Sequence, residues 1–201
     1  MASNVDQIVQ VLRATLSADL AMRKQAEEYL TQHSYAKGHV VGLMQVAVAP
    51  QAELPMRQAA SIHFKNLVAK GWEPRREESA RLHEEDKATV KENVLEALIQ
   101  SPDQVRSQLV ECMKVMVNAD YPEKWPNLLP TLLGYLQTDD VPRVYGAVQV
   151  IMLLCRKYEY KDKEEREVLA PVIDQAFPRL LAMLQSLLAM EDRRDLSLIH
   201  I

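Results

Sequence analysis

Helix start and stop signals recur along this chain and divide it into amphipathic segments of helical length. Within each segment, apolar residues return at three- and four-residue spacing, the period of one buried helix face. Between the segments stand prolines, aspartates and serines of the kind that begin helices, as in Ser101-Pro102-Asp103. The chain is therefore predicted to be all-α. The predicted helices are about 5–16, 18–33, 37–48, 55–72, 87–100, 103–118, 126–137, 140–158 and 162–190.

These helices pair at a regular interval. The second helix of each predicted pair begins near residues 19, 54, 103 and 140, so consecutive starts are about 35, 49 and 37 residues apart, against ~40 to 47 in HEAT-type repeats. A lone hairpin leaves its apolar face in water, whereas stacked hairpins bury it in one continuous core. The predicted architecture is an α-solenoid of HEAT-like antiparallel helix pairs, with about four and a half repeats. The longest interval contains the charged residues 73–86, which we expect to form a solvated loop.

Composition agrees with a helical fold and argues against one class of ligand. With 48% apolar residues, 5 glycines and 5% aromatic residues, the chain suits helices better than sheets. Its formal net charge is −4, and 24 basic residues are interleaved with 28 acidic ones. A uniformly basic face, which binding to a nucleic-acid backbone requires, is not apparent. We therefore expect no direct nucleic-acid ligand.

The two cysteines and the first residues indicate the compartment. Cys112 and Cys155 lie in apolar helical segments without CxxC or Cys/His spacing, so we expect buried reduced thiols rather than a disulfide or a zinc site. MASNVDQIVQ lacks the basic and apolar regions of a signal peptide, and no later run reaches the ~20 apolar residues of a membrane span. We expect a cytosolic or nuclear protein without membrane insertion.

The polar residues form no recognisable catalytic or metal-binding pattern. None of the five histidines is spaced with a carboxylate and a nucleophile as in a catalytic triad. The acidic runs at 77–78 and 84–86 lack the alternating oxygen ligands and turn glycine of an EF-hand and are interpreted as loop. GxxxxGK[ST] and GxGxxG phosphate-binding loops are missing from the sequence. We expect no enzymatic activity, no cofactor and no metal site.

Five segments resemble, in order, the N-terminal part of importin-β-type nuclear transport receptors. They are AEEYLTQHS (26–34), LPMRQAASIHFKNLVAKGW (54–72), KENVLEALIQSPDQVRSQL, DYPEKWPNLLP and KYEYKDKEER (157–166). The last looks like the segment found in the importin seven and importin eight branch. The resemblance covers about residues 5–188, and the loop at 73–86 looks shorter than in that branch.

The resemblance implies binding of the GTPase Ran in its GTP form and transport of protein cargo through nuclear pores. Ran is bound by the N-terminal repeats, whose second helices line the concave face. On the fourth predicted helix, the spacing assigns one face to packing, namely Ala59, Ala60, His63, Phe64 and Leu67. The candidates left for Ran contact are Lys65, Asn66, Arg57 and Ser61. Lys65 and Asn66 can alternatively cap carbonyls or bond along the repeat ridge.

The same resemblance implies further partners, and the residues themselves indicate structural roles. It implies Phe-Gly nucleoporins as partners, and shuttling between cytoplasm and nucleus through the pore. Methionines such as Met152 and Met183 suit either adaptable pockets for Phe-Gly repeats or core packing. Trp72, Trp125 and Pro126 are interpreted as structural, with each indole buried at a turn and its N–H bonded to a loop carbonyl. The alternative function is a HEAT-repeat scaffold subunit of another protein complex.

We divide the chain into four parts. Residues 1–25 are the leading part of a first repeat, 26–102 an importin N-terminal domain of the Ran-binding type, and 103–190 further repeats. Residues 191–201 are expected to be a truncated tail, because LSLIHI (196–201) looks like the translation of a sequencing adapter. On this interpretation the tail is partly non-native and the chain is an N-terminal fragment.

Overall fold

In a computed structural model, residues 4–74 and 81–189 are described, and every regular element among them is helical. They fall into two compact units, Met1–Leu128 and Leu129–Ile201. The first unit contains α1 (Asn4–Thr15), α2 (Leu20–Gln32), α3 (His39–Val48), α4 (Leu54–Gly71), α5 (Glu84–Gln100) and α6 (Asp103–Asp120). None of the described helices combines the length and apolar character needed to cross a bilayer.

The six helices of the first unit are stacked as three pairs. α1 packs on α2, α3 on α4 and α5 on α6. The first helices of successive pairs also contact one another, since α3 lies against both α1 and α5. Among the second helices, α4 packs on α6. This is the arrangement that the repeat spacing predicts. The side chains in its core that are at most 2% exposed include Ile8, Leu12, Leu43, Phe64, Trp72, Leu98, Leu109, Met113 and Met116. Each contributes about 1.5–3 kcal/mol of hydrophobic free energy.

Helix starts follow the predicted positions, but some caps differ. Two residues before α2 are of the type that caps helices, Ser17 and Asp19. The cap is Asp19, whose carboxylate accepts from the Ala21 N–H at 2.7 Å. Ser101 does not cap α6, because its hydroxyl donates instead to the Ala97 carbonyl of α5 at 2.6 Å. A serine beside a preceding helix can thus serve that helix's carbonyls rather than the next helix's N–H groups.

The acidic run at 84–86 is helical, which corrects the expectation of a solvated loop. α5 begins at Glu84, and the three acids occupy its first turn, where they favourably meet the positive end of the helix. Asp86 is 5% exposed and accepts a hydrogen bond of 2.8 Å from the Gly38 N–H, while Glu85 pairs with Lys37. A long-range hydrogen bond therefore joins the first turn of α5 to Gly38, in the turn before α3. The run at 77–78 lies outside the described residues.

The second unit contains most of α7 (Leu128–Leu136) and all of α8 (Val141–Tyr158). The single region predicted at 162–190 is divided into α9 (Lys163–Arg166), a 3₁₀ turn Glu167–Leu169, a π-helical segment Val172–Ala176 and α10 (Phe177–Ala189). Pro171 and Pro178 bound the π-helical segment, as expected for residues that lack an N–H. The tail at 191–201 lies outside the described residues.

Candidate partner-binding site

α4 is buried on more than one side, and this determines which of its polar groups reach solvent. Its buried residues recur at three- and four-residue spacing and include Met56, Ala60, Phe64, Leu67 and Val68. The helix packs against α3 of its own pair and against α6 of the next pair. The apolar stripe is therefore wider than the one that the sequence pattern assigns.

Lys65 and Asn66 point to different neighbours. The Asn66 side chain is exposed and lines a cleft shared with α2 and α3. Lys65 is half-buried, and its charge acts on the Cys112 thiol of α6, so it lies toward the α6 side. The two adjacent residues thus occupy opposite seams of the second-helix layer, which we define as α2, α4 and α6.

Arg57 and Ser61 differ from the expectation that both side chains are available. Ser61 is 0% exposed, and its hydroxyl donates to the Gln58 carbonyl at 2.8 Å. Arg57 is half-buried, and its Nε donates to the Ala47 carbonyl near the end of α3 at 2.9 Å. Ser61 is therefore not an accessible donor, because the α4 face on which it lies is covered. Arg57 joins α4 to the end of α3 through this hydrogen bond.

A cleft of about 410 Å³, which we call the seam cleft, lies between α2, α3 and α4. Leu30, Leu43 and Leu67 are each less than 9% exposed and form its apolar lining. Its polar lining is split between the α2 side and the α4 side. The polar residues that line it are Glu27, Thr31, Ser34, Tyr35, His39, His63, Asn66 and Lys70.

The two cleft histidines are held in their neutral form. Burial lowers the pKa of His39, which is 4% exposed, and the nearby His33 and His63 lower it further. Burial also lowers the pKa of His63, although Glu27 acts in the opposite direction. Near neutral pH each ring therefore carries one N–H donor and one acceptor nitrogen.

The hydrogen-bonding capacity of the cleft is largely unused. Among the described residues, the side chains of His39, His63 and Asn66 form no hydrogen bond. No group of three or more His, Cys, Asp or Glu side chains in the described part of the chain is arranged to hold a metal ion.

Sequence reasoning missed this cleft because its residues come from three helices. The signal available on α4 was the spacing of His63, Asn66 and Lys70, which places them on one side of the helix. The α2 and α3 residues that complete the cleft carry no comparable pattern. Only the packing of α3 between α1 and α5 brings them opposite α4.

The residues interpreted as structural lie at helix ends. Trp72 is 2% exposed, but its Nε1 has no hydrogen-bond partner among the described residues, whereas we expected a bond to a loop carbonyl. The Lys87 ammonium lies 5.9 Å from the centre of the Trp72 ring instead. Trp125 is 8% exposed, whereas Pro126 is exposed in the turn before α7.

Both cysteines carry free thiols. Cys112 is fully buried and Cys155 half-buried, so the expectation of burial holds only in part for Cys155. Burial raises the pKa of both thiols. Neither is therefore activated as a thiolate nucleophile.

Comparison with known proteins identifies the class. Residues 26–100 match the importin-β N-terminal domain. An importin beta-like SAD2 homologue from Arabidopsis thaliana is 37% identical over 179 residues, which is 89% of this chain and 17% of that protein. Importin-8 from Homo sapiens is 31% identical over 191 residues, covering 92% of this chain and 18% of that protein. The chain belongs to the importin-β family of nuclear transport receptors.

Within that family the chain falls in the importin-7/8 branch, which confirms the resemblance found in its sequence. The exportin Cse1, solved in its cargo-free, cytoplasmic state, superposes with a TM-score of 0.80 over 91% of this chain and 20% of its own, at 22% identity. This likeness confirms the HEAT-like α-solenoid fold. The chain spans less than a fifth of the length of the curated relatives described above.

Proposed function

We propose that this chain is the N-terminal part of a receptor that binds Ran in its GTP form and carries protein cargo through the nuclear pore. The family match at residues 26–100 supports this proposal, because it covers the region that we assign to Ran binding, 26–102. Membership in a family of transport receptors favours it over a scaffold of another complex and over an enzyme.

The observation that carries the proposal is the position of Lys65 and Asn66 on α4. Both belong to the second-helix layer, and Asn66 presents an exposed side-chain amide without a hydrogen bond in the described structure. An ammonium and an amide at the edge of an interface favour encounter with an acidic surface and add charge-assisted hydrogen bonds. Arg57 is retained as a secondary candidate, because its two terminal NH₂ groups form no hydrogen bond with the described residues. Ser61 is not retained, because it is 0% exposed.

The test is a comparison of Ran loaded with GTP and with GDP, captured on the immobilised chain. We expect the GTP form to bind more strongly, because a scaffold of another kind has no reason to discriminate the nucleotide. Replacing Lys65 and Asn66 together by alanine should weaken binding of the GTP form about tenfold, since each edge contact contributes up to about 1 kcal/mol.

The control variant is Lys163→Ala, which removes an exposed lysine of α9 in the second unit. It should leave Ran binding unchanged, and circular dichroism should show that all variants keep their helix content. Equal binding by the double variant and the unaltered chain would contradict the assignment of these two residues. Absence of any preference for the GTP form would contradict the proposed function itself.

Phe-Gly nucleoporins and cargo are further partners that we propose from family membership, together with shuttling between cytoplasm and nucleus. In the second unit, a cleft of about 460 Å³ between α8 and α10 supports a Phe-Gly contact. Met152 and Phe177, 42% and 52% exposed, lie along it. A flexible thioether beside an aromatic ring can adapt to an inserted phenylalanine. Met44, Met113 and Met116, in contrast, fill the core.

A further inference from the structure

The seam cleft contains more hydrogen-bond donors than its own residues use. Lys70 and Asn66 lie on the α4 side with His63. His39, which is 4% exposed, lies on α3, and its side chain forms no hydrogen bond in the described structure. The Asn66 and Lys70 side chains are exposed, so a ligand with matching acceptors can replace their water contacts with hydrogen bonds, and the Lys70 bond is charge-assisted. The cleft is therefore prepared for a group that accepts several hydrogen bonds.

The charges around His63 limit what that group can be. Lys70 follows it by two turns on α4, Glu27 faces it from α2, and His39 faces it from α3, with His33 at the end of α2 acting on His39. Glu27 is the one carboxylate among the residues that line the cleft. Opposite it lie one ammonium, one amide and one imidazole on α4 and a second imidazole on α3, so side-chain donors outnumber side-chain acceptors on these two helices.

We propose that the seam cleft receives a carboxylate side chain of the protein partner and that His63 takes up a proton as the complex forms. The identity of the partner as Ran-GTP rests on the proposed function. The proton comes from the buffer, and neutral imidazole, carboxylate and proton combine into an imidazolium–carboxylate pair. Asn66 and Lys70 donate to the remaining carboxylate lone pairs.

The direction of the pH effect follows from the burial of His63. In the free chain burial lowers the pKa of His63, so this ring is neutral near pH 7. An adjacent carboxylate raises a histidine pKa, so the complex binds more protons than its separated components. Binding then strengthens as pH falls. We expect the affinity to rise at least about threefold between about pH 7.5 and pH 6.

The first test is calorimetry of Ran-GTP binding at about pH 6.5 in two buffers of different ionisation enthalpy. The unaltered chain should take up a substantial fraction of one proton per complex, and His63→Gln should abolish most of that uptake and flatten the pH profile. His83→Gln changes an exposed histidine before α5, and this variant should keep both the proton uptake and the pH dependence of binding. Glu27→Gln should strengthen binding at neutral pH, because it removes the carboxylate that opposes the incoming one.

The outcomes separate the two proposals. If Ran-GTP binds without proton uptake, or if His63→Gln keeps the uptake, the carboxylate inference is overturned and the proposed function stands. If Ran-GTP does not bind, the proposed function fails, and the cleft is tested alone by NMR titration of the His63 ring with acetylglutamate amide. A rise in the pKa of His63 with this probe supports the inference, and an unchanged pKa overturns it.

Discussion

At the scale of single residues, two buried aspartates of this protein, Asp86 and Asp120, find partners far away in sequence. Asp86 accepts from the backbone of Gly38, and Lys91 bonds both to the Asp120 carboxylate at 2.9 Å and to the Lys124 carbonyl at 3.0 Å. These bonds satisfy groups that would otherwise be buried without a partner. They join the start of α5 to the turn before α3, and the middle of α5 to the end of α6.

The role of Asp86 can be measured against that of its neighbour. Asp86→Ala should lower the free energy of unfolding by about 1–3 kcal/mol, because it leaves the Gly38 N–H unbonded, and Asp86→Asn should lower it less. Glu85→Gln is the matched control: the Lys37–Glu85 pair is exposed, so this change should lower the free energy of unfolding much less than Asp86→Ala does. Urea unfolding monitored by circular dichroism gives all three values, and similar costs at positions 85 and 86 would contradict this account.

At the scale of elements, α4 ends where another part of the chain lies against it. A Cβ added to Gly71 would stand 2.6 Å from Cε1 of Tyr35 and 3.2 Å from Cγ of Leu82. The N–H of Leu82 also donates to the Gly71 carbonyl at 3.1 Å. Glycine at this position thus permits close approach to the end of the helix. A Cβ added to Gly134 in α7 would meet no described residue within 4 Å apart from its own neighbouring stretch of helix.

The two glycines predict opposite effects of the same substitution. Gly71→Ala should destabilise the protein by about 1–3 kcal/mol, because the new methyl group displaces a packed ring and a buried leucine. Gly134→Ala should stabilise it by about 0.5–1 kcal/mol, because alanine loses less backbone entropy in a helix interior. Thermal and urea unfolding of both variants check the pair. A neutral Gly71→Ala would show that Tyr35 moves aside freely.

At the scale of the whole molecule, stability should depend on pH through two partly buried histidines of the first unit. Folding lowers the pKa of His39 and His63, so the unfolded chain binds more protons below its own histidine pKa near 6.5. The free energy of unfolding should therefore fall as pH drops from about 7.5 to about 5.5. His39→Gln should remove roughly half of this slope, since it leaves one of the two groups.

Urea unfolding at several pH values measures that slope, and a stability that rises toward pH 5.5 would contradict the burial of these rings. Titration of Glu84 and Glu85 does not contribute to the slope of stability in this pH range. Hydrogen bonds from Lys37 and Lys87 lower the pKa of Glu85 and Glu84 below the usual 4.5. Their contribution is lost only at still lower pH, and both groups are largely exposed.

The sequence by itself determined the helices and their pairing. Helical periodicity, prolines at helix starts and the interval between pairs are local properties, so they predicted an all-α solenoid. The resemblance of five sequence segments indicated its family. The local properties placed α8 behind Asp140, which accepts from the Arg143 N–H as a cap should.

Only the tertiary structure decided which polar side chains are available. Ser61 and Asn66 lie five residues apart on α4, yet one is enclosed and the other lines a cleft. The difference arises because α4 packs on α3 and α6 at once, and no local pattern encodes the second neighbour. For the same reason the sequence did not predict that His39 of α3 and His63 of α4 lie close together. Periodicity reports one buried face, whereas a site depends on which helices meet there.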